Sequence, residues 1–365
     1  MRARVIEVLL AAVALTCVIK CSAVAAQEQV APSINMGGET PPAITAPAPP
    51  GWLGRDTLTG DWGGARPWLA ERGITLKPRL TQFFQGLTAG DGDHGLEYAG
   101  KADLLLSADL AASIPFMGGA GIDSFWNITF AAPPSGTVPP YLLGAILNVR
   151  TEPATFGLWV YDPVDVVNRS GLEDPFADGV TVRGTVEFPV TIAGLGGHQG
   201  FAASYSTLPG TNLEDLDELL IPQFPPGIPG IKDSRYYFAY SFDQYLYQSK
   251  ENPREGVGLF GQFGISDGNP NRLYWMAIVG VGGTGLIPGR SRDNWGVGYY
   301  YAAPSTDLKE SLARTLKIRD EQGMEFFYNA AVTPWLAVGP DLQVIKPSLA
   351  NDTAVFFGLR LVIRL

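Results

Sequence analysis

Apolar and polar residues alternate with a period of two over most of the chain. In the segment 101–112, one face would carry the apolar residues Ala102, Leu104, Leu106, Ala108 and Leu110. The opposite face would carry Lys101, Asp103, Ser107 and Asp109. Since successive side chains of a β-strand point to opposite faces, this pattern predicts a strand with one apolar and one wet face.

Two further segments show the same split most clearly. The segment 180–192 sets valines and Phe188 against Thr181, Arg183, Thr185, Glu187 and Thr191. The segment 355–365 sets six large apolar residues against Gly358, Arg360 and Arg364. Weaker alternation predicts strands at 124–130, 199–207, 236–242, 257–265, 273–281, 295–301, 324–332 and 336–344. Their close spacing leaves no room for crossover helices, so the sheet is predicted to be antiparallel.

Two local features interrupt the alternation. A short helix is predicted around residues 66–72 and ends at Gly73. Residues 195–198, Leu-Gly-Gly-His, are predicted to form a short turn between two strands of a hairpin.

A soluble sandwich and a membrane barrel would both show this alternation. Only 17% of the residues are charged, against about 25% in ordinary soluble domains. Aromatic residues crowd the strand ends, as in 299–301 and 326–328, which is typical of the interfacial girdles of a membrane barrel. We therefore predict an all-β fold, a transmembrane antiparallel β-barrel over residues 55–365. At about 19 residues for each strand and turn, it would have sixteen strands.

The N-terminal residues predict export. Arg2 and Arg4, an apolar run and small residues up to Ala25 are typical of a secretory signal, assigned to residues 1–26. Residues 27–54, rich in Pro and Ala, are predicted to be a flexible leader. Both cysteines, Cys17 and Cys21, fall in the signal, so disulfides and thiolate metal sites are not expected. Removing the signal takes away three basic residues and one acidic residue, which changes the net charge from −10 to −12 and argues against nucleic acid as a partner.

Three motifs together resemble the carbohydrate-selective porin family of Gram-negative outer membranes. The first is 58–64, Leu-Thr-Gly-Asp-Trp-Gly-Gly, with 69–74 behind it. The second is 256–264 running into Ser-Asp-Gly-Asn-Pro at 266–270, and the third runs from 323–328 through 332–336 to 340–343. The resemblance implies a sixteen-stranded barrel in the bacterial outer membrane with a constricted pore, through which glucose and related sugars diffuse into the periplasm. The chain departs from the usual pattern at Leu365, where such barrels end in an aromatic residue.

Passive sugar passage needs a pore wall of hydroxyls, amides and charges, with aromatic faces for the apolar side of the sugar ring. The candidate pore-lining residues on the predicted wet faces are Lys101, Asp103, Asp109, Arg183, Glu187, Glu325, Arg360 and Arg364. Trp159 joins them as an aromatic candidate. Its segment, 159–162, and the segment 165–169 are predicted to be surface loops, with an inward loop as the alternative. For each charged candidate, a solvated wall without a specific role is the simpler interpretation.

Other functions stay open at this point. A general or anion-preferring porin would share the fold, and an outer-membrane lipase would need Ser, His and an acid, with only His94 and His198 available. We expect both histidines in loops, which disfavours an enzyme, and a soluble sugar-binding protein is a weaker alternative. The expected partners are small sugars and outer-membrane lipid, with assembly as a homotrimer open. No cofactor or metal is expected.

Overall fold

A computed structural model describes residues 51–109, 120–131, 142–164, 172–217, 228–253, 255–285, 287–349 and 352–365, with only the backbone of 120–131 and 142. The predicted signal and nearly all of the leader lie outside these residues. The strands are β1 (Ile74–Ala89), β2 (Leu96–Asp109), β3 (Ala120–Ala131), β4 (Leu142–Arg150), β5 (Thr155–Tyr161), β6 (Thr181–Ile192), β7 (Leu195–Ser206), β8 (Gly210–Thr211), β9 (Ile231–Lys232), β10 (Arg235–Gln248), β11 (Gly256–Ser266), β12 (Leu273–Thr284), β13 (Asn294–Pro304), β14 (Glu321–Ala331), β15 (Leu336–Lys346) and β16 (Ala354–Arg364).

Fourteen of these strands form a closed antiparallel barrel. Each strand pairs with its neighbours in the chain, and β7 pairs with β10 because β8 and β9 form a separate small sheet. The ring closes where β1 pairs with β2 on one edge and with β16 on the other. Closure gives every strand of the ring two partners, so the barrel presents no open edge.

The register between paired strands makes the two faces of each strand continue around the whole ring. Residues directly opposite one another share a face, so one face can be followed from Arg79 to Asp103 on β2 and to Arg364 on β16. The other face carries the exposed large apolar side chains, which include Phe84, Leu106, Phe156, Leu158, Val182, Phe201, Phe238, Phe263, Val279, Met324, Phe326, Leu342, Phe357 and Leu359. The outer face of the barrel is therefore apolar, and the inner, luminal face is polar. No helix in the described part of the chain is long and apolar enough to cross a membrane.

The predicted number of sixteen strands is not confirmed. The number sixteen assumed that every strand with its turn has the same length. Three strands, β1, β2 and β10, are longer and have 14 to 16 residues. Long connections between β5 and β6, between β7 and β10, and between β13 and β14 take up further residues without adding strands to the described ring.

Three strands of the ring, β1, β4 and β5, and the two short strands β8 and β9 were not predicted from the sequence, and one turn was misplaced. The turn between β6 and β7 is Ala193–Gly194, where both residues have positive φ angles of 53° and 80°. Two residues with positive φ suit a type I′ hairpin turn, whose twist matches that of the strands. The residues 195–198, predicted to be the turn, belong to β7.

The N-terminal segment packs against the end of the last strand. Its short helix, Ala65–Ala70, agrees with the predicted helix, and Gly73 then has a φ of 75° before β1 begins. The amide of Leu58 donates to the carbonyl of Arg364 at 2.8 Å, and Arg66 donates to the carbonyl of Leu365. Trp335 Nε1 donates to the carbonyl of Trp52. These contacts place both termini of the barrel at one end, here called the termini end.

The opposite end, here called the long-loop end, is where β1 finishes and β2 begins. It carries the three long connections, after β5, β7 and β13, whereas the termini end has tight turns such as Ala193–Gly194. In outer-membrane barrels the short turns face the periplasm and the longer loops face outwards.

Charge on the outer face should destabilise the barrel in a bilayer. Val279 lies in the middle of β12 and is 49% exposed on the apolar face. We expect Val279→Lys to lower the free energy of unfolding by about 2–4 kcal/mol, because the ammonium enters hydrocarbon. Denaturant unfolding in lipid vesicles, followed by tryptophan fluorescence, measures the change.

The matched control is Ser241→Lys, which places the same charge on the exposed luminal face of β10. We expect this variant to unfold close to the wild-type midpoint. Equal destabilisation by the two lysines would contradict the assignment of faces.

Candidate functional site

The structure places all nine candidate residues on the luminal face of the barrel. Lys101, Asp103 and Asp109 lie on β2, Trp159 on β5, Arg183 and Glu187 on β6, Glu325 on β14, and Arg360 and Arg364 on β16. Their role in binding a solute stays a prediction. The structure does not gather them at one point, but divides them among several groups.

The first group centres on Asp103. Arg79 Nη2 lies 2.7 Å from Asp103 Oδ2, and Lys101 Nζ lies 3.3 Å from Asp103 Oδ1. The side chain of Arg79 is about half exposed, whereas that of Lys101 is 9% exposed. One carboxylate therefore balances two cations, one facing open lumen and one enclosed. Arg79 is not among the predicted candidates because no strand was predicted at β1, although Ile74, Leu76 and Leu80 alternate with polar residues.

The second group, here called the arginine patch, consists of Arg183, Trp159, Tyr161, Tyr237 and Ser204. Arg183 lies opposite Trp159 on β5 and opposite Ser204 on β7, and Ser204 lies opposite Tyr237 on β10. The guanidinium carbon of Arg183 is 5.7 Å from the centre of a Trp159 ring. Tyr161 and Tyr237 are close enough for the charge of Arg183 to act on their hydroxyls.

Two further features describe the packing of the arginine patch. Among the residues that the structure describes, none accepts a hydrogen bond from the buried Nε atom of Arg183. On β5, Gly157 lets neighbouring side chains pack against the backbone, since an added Cβ would clash with Thr185 Oγ1 at 2.3 Å and crowd Trp159 Nε1 at 3.2 Å. Trp159 is therefore in a strand, and the predicted loop at 159–162 is wrong for its first three residues. The other predicted loop, 165–169, lies outside the described residues.

The third group lies on β14 to β16. Glu325 is opposite Gln343, and its carboxyl group is hydrogen-bonded to that of Asp341, with the charge of Arg360 acting on the pair. Gln343 Nε2 donates to Asp341 Oδ1 at 2.9 Å. Glu325 and Arg360 are thus brought together, with Asp341 and Gln343 as additional polar residues of the wall.

The remaining candidates stand apart from these groups. Glu187 is exposed to the lumen near the middle of β6, and Asp109 ends β2 at the termini end. Arg364 also lies at the termini end, where its Nη1 donates to the carbonyl of Pro334 at 3.0 Å. Asp109 and Arg364 therefore belong to the rim of the barrel at that end.

The two histidines have different places. His94 is in an exposed loop, as predicted. His198 is not in a turn but on the luminal face of β7, where its Nδ1 lies 2.8 Å from Asp243 Oδ2. The predicted turn began at Leu195, whereas the turn lies at Ala193–Gly194. The contact of His198 with Asp243 on β10 was therefore not predicted.

One sector of the wall has an unexpected composition. On β11 to β14, luminal aromatic rings lie over glycines of the neighbouring strand: an added Cβ would meet Phe260 at 2.3 Å on Gly280, Phe327 at 2.6 Å on Gly296 and Tyr300 at 2.6 Å on Gly323. Phe260, Met276, Ile278, Tyr300 and Ala302 form a buried cluster on this side. The luminal wall of β11 to β14 is thus mostly apolar and glycine-rich, although Glu321 and Glu325 also lie on the luminal face of β14.

The chain matches known proteins at the level of family and fold. Residues 93–365 match the family model of the carbohydrate-selective porin, OprB family. Among solved structures, the high-pH structure of Pseudomonas putida OprB has a TM-score of 0.69 at 16% identity, covering 85% of this chain and 99% of that chain. Its low-pH structure has a TM-score of 0.48 at 16% identity, covering 85% and 98%. A loop-deletion mutant of Vibrio cholerae OmpT, an outer-membrane protein, has a TM-score of 0.43 at 13% identity, covering 80% and 99%.

No curated protein matches significantly. The family match spans well over half of the chain, and it agrees with the antiparallel barrel, its apolar outer face and its polar lumen. The chain therefore belongs to the carbohydrate-selective OprB family of porins and forms a sugar channel of the bacterial outer membrane.

Proposed function

We propose that small sugars such as glucose pass through the channel into the periplasm by passive diffusion, and that the arginine patch binds the sugar during its passage. The observation that carries this proposal is the contact of Arg183 with Trp159 on the luminal wall. An aromatic face packs against the apolar side of a pyranose ring, and a guanidinium offers several donors to its hydroxyls. Tyr161, Tyr237 and Ser204 add hydroxyls around the same point.

The exposure of Arg183 supports a ligand at this point. Its side chain is partly exposed to the lumen although its Nε atom is buried, so the outer donors of the guanidinium can reach a solute. A neutral sugar supplies acceptors without adding a charge to the lumen, which already carries acidic side chains such as Glu187 on the same strand.

An anion-preferring porin is the second candidate function. It is favoured by the same guanidinium, since arginine also binds phosphate and carboxylate groups. The channel family disfavours an enzyme. The export signal at residues 1–26, the leader at 27–54, the single barrel domain at 55–365, contact with outer-membrane lipid and assembly as a homotrimer complete the proposal.

Removing either main side chain of the arginine patch should weaken sugar binding. We expect Arg183→Ala and Trp159→Ala each to raise the glucose concentration for half-maximal block by roughly tenfold, as the loss of about 1.5 kcal/mol of binding free energy implies. Single-channel conductance in planar bilayers, titrated with glucose, measures this. Arg79→Ala, which removes a luminal guanidinium away from the patch, is the matched control and should keep the wild-type block.

Titration with phosphate separates the two candidate functions. If phosphate blocks the wild-type channel and glucose does not, the anion-preferring porin replaces the sugar channel. If both alanine variants keep the wild-type glucose block, the arginine patch is not the sugar site.

Neutralising the carboxylate of the first group should change the ion selectivity of the pore. In Asp103→Asn, Arg79 and Lys101 keep their charges but lose the carboxylate that balances them. We expect the reversal potential in a potassium chloride gradient to move toward greater anion permeability, because the local potential becomes more positive.

The control for this change is Glu251→Gln, which removes the same charge from an exposed turn at the termini end. Its reversal potential should stay near that of the wild type. An unchanged selectivity in Asp103→Asn would mean that permeating ions do not pass close to Asp103.

A further inference from the structure

The burial of luminal side chains differs between the two ends of the barrel. In the half near the long-loop end, many luminal side chains are buried, among them Leu87, Ala99, Lys101, Met276, Tyr300, Ala302, Glu321 and Ala354. Toward the termini end, luminal side chains of β1, β2, β6 and β16 are exposed, among them Lys77, Arg79, Asp109, Glu187 and Arg364. On these four strands the open lumen therefore narrows toward the long-loop end, whereas Tyr245 on β10 and Phe260 on β11 are buried.

A folded unit lies at that end, formed by connections that are far apart in the chain. Its buried core consists of Leu213, Leu308, Leu312 and Ile318, with Leu216, Leu316 and Leu349 packed around it. Leu308, on the short helix Thr306–Leu312, is fully buried, and Leu213 is 3% exposed. We call this unit the cap. Within this unit, Leu213–Asp215 forms a short 3-10 helix, and its Leu213 packs into the core of the cap.

One side chain, Asn269, ties three connections of the cap together. Its Oδ1 accepts from the amide of Leu213 at 3.0 Å, and its Nδ2 donates to Asn212 Oδ1 at 2.6 Å and to Asp307 Oδ2 at 3.0 Å. Elsewhere in the cap, Lys309 contacts Asp320. Burial alone would raise the pKa of the Asp320 carboxyl, but hydrogen bonds from Lys309 and Tyr301 outweigh burial and lower this pKa. The cap is thus held by a buried apolar core and by charged and amide contacts.

The cap stands directly on the apolar sector of the luminal wall. The hydroxyl of Tyr300 donates to Glu321 Oε1 at 2.9 Å, and Glu321 Oε2 accepts from the amide of Ser348. The carbonyl of Ser348 accepts in turn from the amide of Arg319, beside the buried Ile318. This chain of hydrogen bonds runs from the inner wall of β13 into the cap, above the sector where Met276, Tyr300 and Ala302 are buried.

The strands carrying the arginine patch differ from this sector. Trp159, Tyr161, Arg183 and Tyr237 lie in the long-loop halves of β5, β6 and β10, yet all four remain partly exposed. The connection after β7, which supplies Leu213 to the cap, also contacts the start of β10, where Arg235 donates to the carbonyls of Leu208 and Pro209 at 3.1 and 2.8 Å. Arg235 lies two residues before Tyr237 on the same face of β10. At the narrow end, the solvent-accessible wall therefore includes the arginine patch and excludes the capped sector.

We propose that the cap is the size filter of the channel: it closes the sector of the mouth over β11 to β14 and confines a sugar to the passage along the arginine patch. This inference rests on the proposed sugar-binding role of that patch. It assigns the choice of sugar size to residues of the cap that need not touch the sugar, and the choice of sugar chemistry to Arg183 and Trp159.

Two variants that disrupt the cap in different ways test the filter. Leu308→Asp places a carboxylate in the buried core, and Asn269→Ala removes the amide that joins three connections. Lys317→Ala, an exposed substitution in the same connection, is the matched control. Liposome swelling with glucose, maltose and raffinose measures relative permeation, and heat-dependent migration in detergent gels verifies that the barrel is folded.

We expect both cap variants to raise the permeation of raffinose relative to glucose several-fold, and the control to keep the wild-type ratio. Folded cap variants with the wild-type ratios would overturn the size filter. The sugar site is tested separately by single-channel conductance: if Arg183→Ala keeps the wild-type glucose block, the arginine patch fails as a sugar site, while liposome swelling still measures the effect of the cap on size.

Discussion

The pairing of every strand on both edges is the constraint on which the rest of this structure depends. A backbone amide or carbonyl in hydrocarbon has no water to bond, so a sheet that crosses a bilayer must close on itself. In this chain the closing pair is β1 with β16, the first and last strands. The contacts of Leu58 and Arg66 with the final residues lie next to this seam. The N-terminal segment therefore supports the place where closure is completed.

Closure also determines where chemistry can occur. With the apolar side chains of each strand turned outwards, all polar side chains of the alternation enter one enclosed space. Several charges there are balanced by a neighbour, as Asp103 balances Arg79 and Lys101 and as Asp243 pairs with His198. Arg183 differs, since an aromatic residue, Trp159, and a hydroxyl-bearing residue, Ser204, lie opposite it. A neutral solute rich in hydroxyls suits such a point better than a fixed countercharge would.

In the proposed channel, the luminal wall selects the chemistry of the sugar and the cap selects its size. Glycines on β12 to β14 let aromatic rings lie flat against the wall, which keeps this sector smooth and provides a base for the cap. The cap draws its residues from several connections, so its core forms only after the strands between them have paired. Selection by size and selection by chemistry can thus vary separately within one barrel.

The period of two was sufficient to predict the antiparallel barrel and the luminal side of Lys101, Asp103, Arg183, Glu187, Glu325 and Arg360, because strand geometry alone decides which face a side chain takes. It did not determine the number of strands, since alternation is hard to separate from loops in short segments such as β5. The partners of each side chain also came only from the tertiary structure. Arg79 meets Asp103, and Trp159 meets Arg183, through the register between strands, and the cap depends on contacts between connections more than fifty residues apart, such as Leu213 with Asn269. Spacing along the chain carries no signal of such contacts, because they depend on the register between paired strands and on how the connections pack against one another.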